Sequence, residues 1–223
     1  MGNTPSVSAA GCLKEASSEP IHANVISLSD NDLLVLVLEN VLSAQECRAL
    51  IATSEASGFS QALLNVGGGR EVLCTEIRNS DRCMLDDAAA AAIIWGRIRS
   101  FLPATFNGHE VVGVNERLRF LRYDPGQEFK PHVDGSYCRP DKTEMSFLTI
   151  QLYLNGGQGL VGGATTIFDK NGDVDIQPAV GRALIFQHRG VCHAGGPVVH
   201  GRKYTIRSDI MCRLPPDFNF GRR

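Results

Sequence analysis

The sequence has no C-x-x-C pair. Its seven cysteines (Cys12, Cys47, Cys74, Cys83, Cys138, Cys192 and Cys212) are scattered and odd in number, which excludes a zinc ribbon and a closed disulfide framework and makes a reducing compartment the expectation. It has no run of basic residues either. Lys and Arg number 22 against 24 Asp and Glu, a net charge of -2, so the electrostatic footprint of a nucleic-acid binder is missing and no such partner is expected. No stretch reaches the ~18 uninterrupted apolar residues of a membrane span, and the first residues lack the basic-then-apolar order of a secretory signal. A cytoplasmic location is the expectation. Nor is there an internal repeat, which excludes solenoids and propellers.

What is present is an ordinary globular balance. Hydrophobic residues make up 43% and charged residues 21% of 223 positions, enough for a proper core in one sizeable domain with extensions. Residues 1–30, rich in Ser, Ala, Asn and Glu without period, are expected to form a flexible N-terminal extension. Its start, Met1-Gly2-Asn3-Thr4-Pro5-Ser6, fits the pattern for N-myristoylation of Gly2, with Cys12 as a second acylation site; the alternative is a tail that begins Met-Gly by chance. A membrane partner is expected only if Gly2 is acylated.

Residues 31–110 read as a strand-helix lead-in with supporting helices. Leu33 to Leu38 is an apolar, partly β-branched run suited to a buried strand. Ser43-Ala44-Gln45-Glu46 is a capping box that opens a helix ended by Gly58. Three glycines, Gly67 to Gly69, precede a strand expected near Glu71 to Ile77, and Asp86-Asp87 opens an Ala-rich helix running through Ile98 and closed by Pro103. From 111 to 214 the texture changes to short segments punctuated by Gly, Pro and Asn, with alternation in Arg117–Tyr123 and Arg182–Phe186. Residues 215–223 read as a tail. Helices first and strands later, without βαβ alternation, predict a mostly β fold: an antiparallel sandwich or barrel with the N-terminal helices packed on one outer face.

All four Tyr and five of the six His lie between positions 109 and 204, so the residues capable of chemistry concentrate in and at the edge of the β half. His132-Val133-Asp134 places an imidazole and a carboxylate at i and i+2, on one side of a strand, where they can share a cation. Alone, that triplet is equally an ordinary surface His and Asp. His193, just past the apolar strand Ala183–Phe186, supplies a third donor. Two His and one carboxylate form the facial set of a non-haem Fe(II) oxygenase and leave the opposite face of the metal open, whereas a structural zinc site is closed by four protein ligands. His188 competes for the third position, its other roles being support of a ligand or plain structure. After His193 come Lys203 and Arg207, on a segment whose odd positions are polar and whose even positions are mostly apolar. That pattern is either a solvated strand face or a polar face lining a barrel, where a cation beside the metal would bind the distal carboxylate of a dicarboxylate.

An ordered series of blocks resembles the catalytic domain of 2-oxoglutarate/Fe(II)-dependent dioxygenases of the prolyl 4-hydroxylase type. Arg122-Tyr123-Asp124-Pro125-Gly126-Gln127-Glu128-Phe129-Lys130-Pro131-His132-Val133-Asp134 is similar to that family's R-Y-x-P-G-Q-x-F-x-x-H-x-D stretch. Thr149 to Asn155, Gly162 to Phe168, Pro178 to Phe186, and His193-Ala194-Gly195-Gly196-Pro197-Val198 with Gly201 and Lys203 resemble its later blocks, in the same order. The resemblance implies a double-stranded β-helix, or jelly roll, with Fe(II) held by His132, Asp134 and His193. It implies that Lys203 pairs with the C5 carboxylate of 2-oxoglutarate while Tyr123 and Tyr153 contact it from neighbouring strands. Arg207 stays open as the carboxylate partner, because related oxygenases use an Arg at about this longer spacing.

The activity implied is hydroxylation of an unactivated C–H, most readily that of a prolyl residue in a protein or peptide. O2 and 2-oxoglutarate are consumed, succinate and CO2 are the co-products, and ascorbate is the expected activator. The same chemistry on a small molecule or another residue is an alternative. A zinc hydrolase would lack a nearby Glu base and leave Lys203 without a task. A non-catalytic binding protein on the same fold would be expected to have lost a ligand. The segment Gly135 to Lys142 is expected at the substrate entrance or on the plain surface.

Overall fold

The computed structural model describes residues 8–30, 32–65 and 70–218. Its main strands, in chain order, are β1 (His22–Val25), β2 (Val35–Glu39), β3 (Asp81–Asp86), β4 (His109–Val114), β5 (Arg117–Tyr123), β6 (Phe129–His132), β7 (Glu144–Tyr153), β8 (Thr165–Ile167), β9 (Val174–Ile176), β10 (Ala183–Gln187), β11 (His193–Gly195) and β12 (Lys203–Arg213). Two helices, α1 (Ala44–Ser57) and α2 (Ala88–Ile98), lie between β2 and β4. The start of α1 is fixed by the capping box: Glu46 N–H donates to Ser43 Oγ, and Ser43 N–H donates to the Glu46 carboxylate. Gly58, at φ +83°, ends it. At the head of α2, the Asp87 carboxylate accepts from Ala90 N–H.

The strands form two antiparallel sheets. The large one runs β1-β2-β10-β7-β12-β5-β3, with β4 also paired to β12, and the small one runs β6-β11-β8-β9. Together they make the jelly roll. β2 shows why its run of residues is apolar without alternation, since both of its faces are covered. Val35 and Val37 join Leu184, Phe186, Ile167 and Ile176 between the sheets, whereas Leu36 and Leu38 join Leu50, Ile94 and Ile98 under the helices. The helices thus shield one face of the large sheet, and the other face encloses the jelly-roll interior.

Three expectations need correction. Within the extension expected over 1–30, the described residues 8–30 are tied to the fold. Ala9 and Leu13 are buried in the helical core, β1 pairs with β2, and Ser8 Oγ and Ala10 N–H donate to the Asp87 carboxylate. Their apolar residues are too sparse to show a period, yet Ala9, Leu13 and Leu28 each find a separate place in the core. The strand expected over 71–77 shortens to Glu71–Val72, paired with Leu64–Asn65. A turn follows, in which Ile77 and Arg78 N–H donate to Cys74 C=O, and β6 holds its end through the single pair Arg78↔Phe129. Finally, no structural boundary falls at 110, because β3 pairs along its whole length with β5. Gly2 lies outside the described residues; Cys12 sits half-buried in a short 3-10 turn.

Candidate active site

Sheet register brings the two histidines together. In the antiparallel pair β6–β11, His132 is directly opposite His193, and their ring centroids are 4.2 Å apart. Phe129 stacks on His132 at 3.6 Å and Phe186 packs against His193 at 4.4 Å, so each imidazole is clamped by an aromatic ring. The Nδ1 atoms are held by backbone carbonyls, that of His132 by Lys130 C=O at 2.8 Å and that of His193 by Val191 C=O at 3.4 Å. A carbonyl can only accept, so each Nδ1 carries the proton and each Nε2 lone pair is free. Both Nε2 atoms face Asp134, at 3.7 Å from Oδ1 and 3.8 Å from Oδ2 respectively. One donor atom from each of the three residues lies within 4.8 Å of the others. His188 is outside this group; its Nε2 is 3.9 Å from Asp209 Oδ1, and its Nδ1 is 3.4 Å from Ser136 Oγ.

The electrostatics suit cation binding. Burial pushes the His132 imidazole down to about 4, with the neighbouring His193 acting in the same direction, and burial also lowers His193, so both rings are neutral at pH 7. Burial would raise the Asp134 carboxyl, but Arg207, the two histidines and Thr149 outweigh it and hold the carboxyl below its ordinary range. Thr149 Oγ1 donates to Asp134 Oδ2 at 2.6 Å, and Arg207 Nη2 lies 3.1 Å from the same oxygen.

These groups line a cavity of about 900 Å³. β12 sends Lys203, Arg207 and Asp209 into it, and the two cations there have different fates. Arg207 is engaged with Asp134 and lies 3.5 Å from Asp209, which is also bound by Arg119 at 3.0 Å. Lys203 is 2% exposed and faces no carboxylate among the described residues; its Nζ stands 5.2 Å from the Tyr123 ring centroid and 5.6 Å from that of Tyr153. Burial alone lowers its ammonium to about 7. Gly163, at φ +71°, keeps this slot open, because a Cβ there would stand 3.1 Å from Lys203 Cδ. Two residues on along β12, Thr205 Oγ1 is buried with no hydrogen-bond partner among the described residues. Tyr123 lines the cavity, whereas the Tyr153 hydroxyl donates to Thr165 Oγ1 at 2.7 Å.

Residues 118–208 match the family model of the 2OG-Fe(II) oxygenase superfamily. This segment is a 2-oxoglutarate/Fe(II) oxygenase domain. Similar folds occur in a prolyl-4-hydroxylase from Pseudomonas putida (18% identity, 88% of this chain and 94% of that one, TM-score 0.55). Another is the 2OG complex of a viral collagen prolyl hydroxylase from Paramecium Bursaria Chlorella virus-1 (21%, 88% and 98%, 0.55). A third is a Trichoplax adhaerens prolyl hydroxylase in complex with a hypoxia inducible factor peptide fragment (18%, 94% and 88%, 0.59). None of the curated proteins compared with the chain matches it significantly. The oxygenase uses Fe(II) and 2-oxoglutarate, and the residues present fit both. Two neutral imidazoles and a carboxylate are an Fe(II) donor set with an open face. A buried ammonium without a counter-ion, beside an unpartnered hydroxyl, suits a dicarboxylate.

Sequence reasoning missed Thr149 as a support of Asp134, and Arg78 and Arg119 in the cavity wall. Strand parity puts Asp209 on the face of Lys203 and Arg207, where pairing with one of the two cations is open to it, and it lies 3.5 Å from Arg207. Arg78 gave no signal, because it sits in a turn without periodicity.

Proposed function

We propose that this oxygenase hydroxylates the unactivated C–H of a prolyl residue in a protein or peptide, releasing succinate and CO2, with ascorbate as activator. The observation that carries the reading is the pairing, in one cavity, of an open three-donor metal set with a buried ammonium that lacks a counter-ion. The solved structures of similar fold include prolyl hydroxylases, one of them holding a peptide, which supports a prolyl and peptide substrate.

When bound, Fe(II) supplies the redox chemistry that couples 2-oxoglutarate decarboxylation to C–H oxidation. The protein prepares the ligands for it. Backbone carbonyls of Lys130 and Val191 fix the histidine tautomers, while Thr149 and Arg207 orient the Asp134 carboxylate. Lys203 takes the C5 carboxylate, Thr205 donates to it, and Tyr123 forms the wall beside it. Leu121, Phe129 and Phe186 line the cavity with apolar surface that keeps water from the reacting centre. Gly135 to Cys138 form part of the mouth, and the following Arg139 is tied to Glu116 and Glu144.

The test is succinate formation from 2-oxoglutarate with added Fe(II) and ascorbate, across a panel of prolyl peptides and metabolites. The expected result is Fe(II)-dependent turnover stimulated by a prolyl peptide; stimulation by metabolites alone would reject the prolyl substrate. A cytoplasmic location, with peripheral membrane attachment through myristoylated Gly2, belongs to the same proposal. Intact mass from a eukaryotic host checks it.

A further inference from the structure

We propose that Arg78 receives a carboxylate carried by the substrate. The inference rests on the oxygenase reading above and adds a charge requirement to its substrate.

Arg78 is fixed beside the metal set by backbone. Lys130 N–H donates to Ile77 C=O at 2.9 Å, and Arg78 bridges to Phe129. The guanidinium carbon lies 4.7 Å from the Phe129 ring centroid, and that same ring stacks on His132. Phe129 is therefore a shared shelf for a metal ligand and a cation. Arg78 Nε donates to Ser80 Oγ at 3.1 Å, and neither Nη has a protein acceptor among the described residues. The side chain lines the cavity, so this free edge faces the space where substrate must sit.

The other arginines of the cavity are already engaged. Arg82 is bidentate with Glu71, Arg119 binds Asp209, and Arg207 binds Asp134. Lys203, the remaining cation without a carboxylate, stands on Tyr123 and Tyr153 and is matched by 2-oxoglutarate. Once that match is made, one guanidinium edge remains uncompensated. Burial lowers the Arg78 pKa from its ordinary value, in keeping with a guanidinium that lacks a carboxylate partner. Two parallel Nη–H groups fit the two oxygens of a carboxylate. A prolyl ring has no such group, so the carboxylate comes either from an Asp or Glu next to the target or from the target's own free carboxyl terminus.

The experiment uses the full chain with Fe(II) and 2-oxoglutarate and measures both affinity and turnover of matched probes. One arm is a set of short peptides with Glu, Gln or Lys beside a central Pro; the other is N-acetylproline against its amide. Wild type is expected to favour the carboxylate member by about 10-fold or more in one arm, which identifies the source of the group. Arg78→Gln is expected to remove the preference, Arg78→Lys to keep part of it, and Arg78→Glu to favour the Lys peptide. Thermal melting of each variant separates loss of fold from loss of preference. Equal binding of acid and amide by wild type, or no binding of either, overturns the proposal, as does an Arg78→Gln variant that weakens 2-oxoglutarate and not the probe. Failure of the prolyl reading looks different: acid probes bind in an Arg78-dependent way and none is hydroxylated.

Discussion

The two faces of β12 are about equally buried, and they differ in what they are buried against. On one face Ile206 and Ile210 pack with Leu118, Leu148 and Leu152 under the helices. On the other, Lys203, Arg207 and Asp209 line the cavity and Thr205 lies between them on the same face; Thr205 Oγ1, Arg207 Nε and Asp209 Oδ1 are buried polar atoms without hydrogen-bond partners among the described residues. Apolar burial contributes roughly 1.5–3 kcal/mol per large side chain, whereas an unmet buried polar group costs about 1–3 kcal/mol. One strand therefore stabilises the fold with one face and holds binding capacity in reserve with the other. The same contrast separates its two cations: Arg207 has its carboxylates from the protein, and Lys203 has none among the described residues.

The largest effects belong to the metal set. His132→Ala, Asp134→Ala and His193→Ala are each expected to lose bound Fe(II) and to lower succinate formation by ~10³-fold or more while the chain stays folded, each removing one of three protein ligands. Metal analysis and the succinate assay check this, and substantial turnover in any of the three would break the assignment.

The two faces are separated next by a pair of variants. Ile206→Ala leaves a cavity on the helical side and is expected to cost about 2–5 kcal/mol, each ~1 kcal/mol lowering the melting temperature by ~2–4 °C, with activity retained in the cold. Thr205→Val removes an unmet hydroxyl and is expected to leave stability unchanged or slightly raised while the KM for 2-oxoglutarate rises several-fold. The opposite pattern would mean that the inner face is structural.

A pH profile sharpens the contrast between the cations. Burial places the Lys203 ammonium at about 7, so its charge is present below that pH and lost above it. The kcat/KM for 2-oxoglutarate is expected to fall above pH 7, by up to about tenfold per unit. Lys203→Arg, which stays charged, should flatten the fall. A fall of the same size and midpoint in Lys203→Arg would trace it to another group. The smallest effect is expected at His188→Ala, which should keep stoichiometric Fe(II); its loss would move His188 into the metal set.

Much of this was legible in sequence because backbone periodicity writes it there. The capping box at Ser43–Glu46 and the alternation of Arg117–Tyr123 are local patterns and appear in place; His132 and Asp134 do meet, although the strand expected to carry both ends at His132 and Asp134 lies just beyond it. What sequence did not show are meetings between distant segments. The engagement of Arg207 with Asp134 depends on β7, which carries Thr149, lying beside β12. The shelf that Phe129 makes for Arg78 depends on one bridge between a turn and β6. Residues 8–13 reach the core through two buried side chains, and 22–25 join the sheet edge by backbone pairing, and neither leaves a period in the sequence.

The most direct test of the contrast between saturated and free cation is the affinity of the metal-loaded protein for 2-oxoglutarate, measured side by side for wild type, Lys203→Ala and Arg207→Ala. A charge-assisted bond to a carboxylate contributes about 1.5–3 kcal/mol, so Lys203→Ala is expected to weaken 2-oxoglutarate by roughly 10- to 150-fold. Arg207→Ala should act far less on this affinity and mainly on how firmly Asp134 holds the metal. The reverse ranking would give the C5 carboxylate to Arg207, and no effect from either variant would contradict the reading of the cavity as a 2-oxoglutarate site.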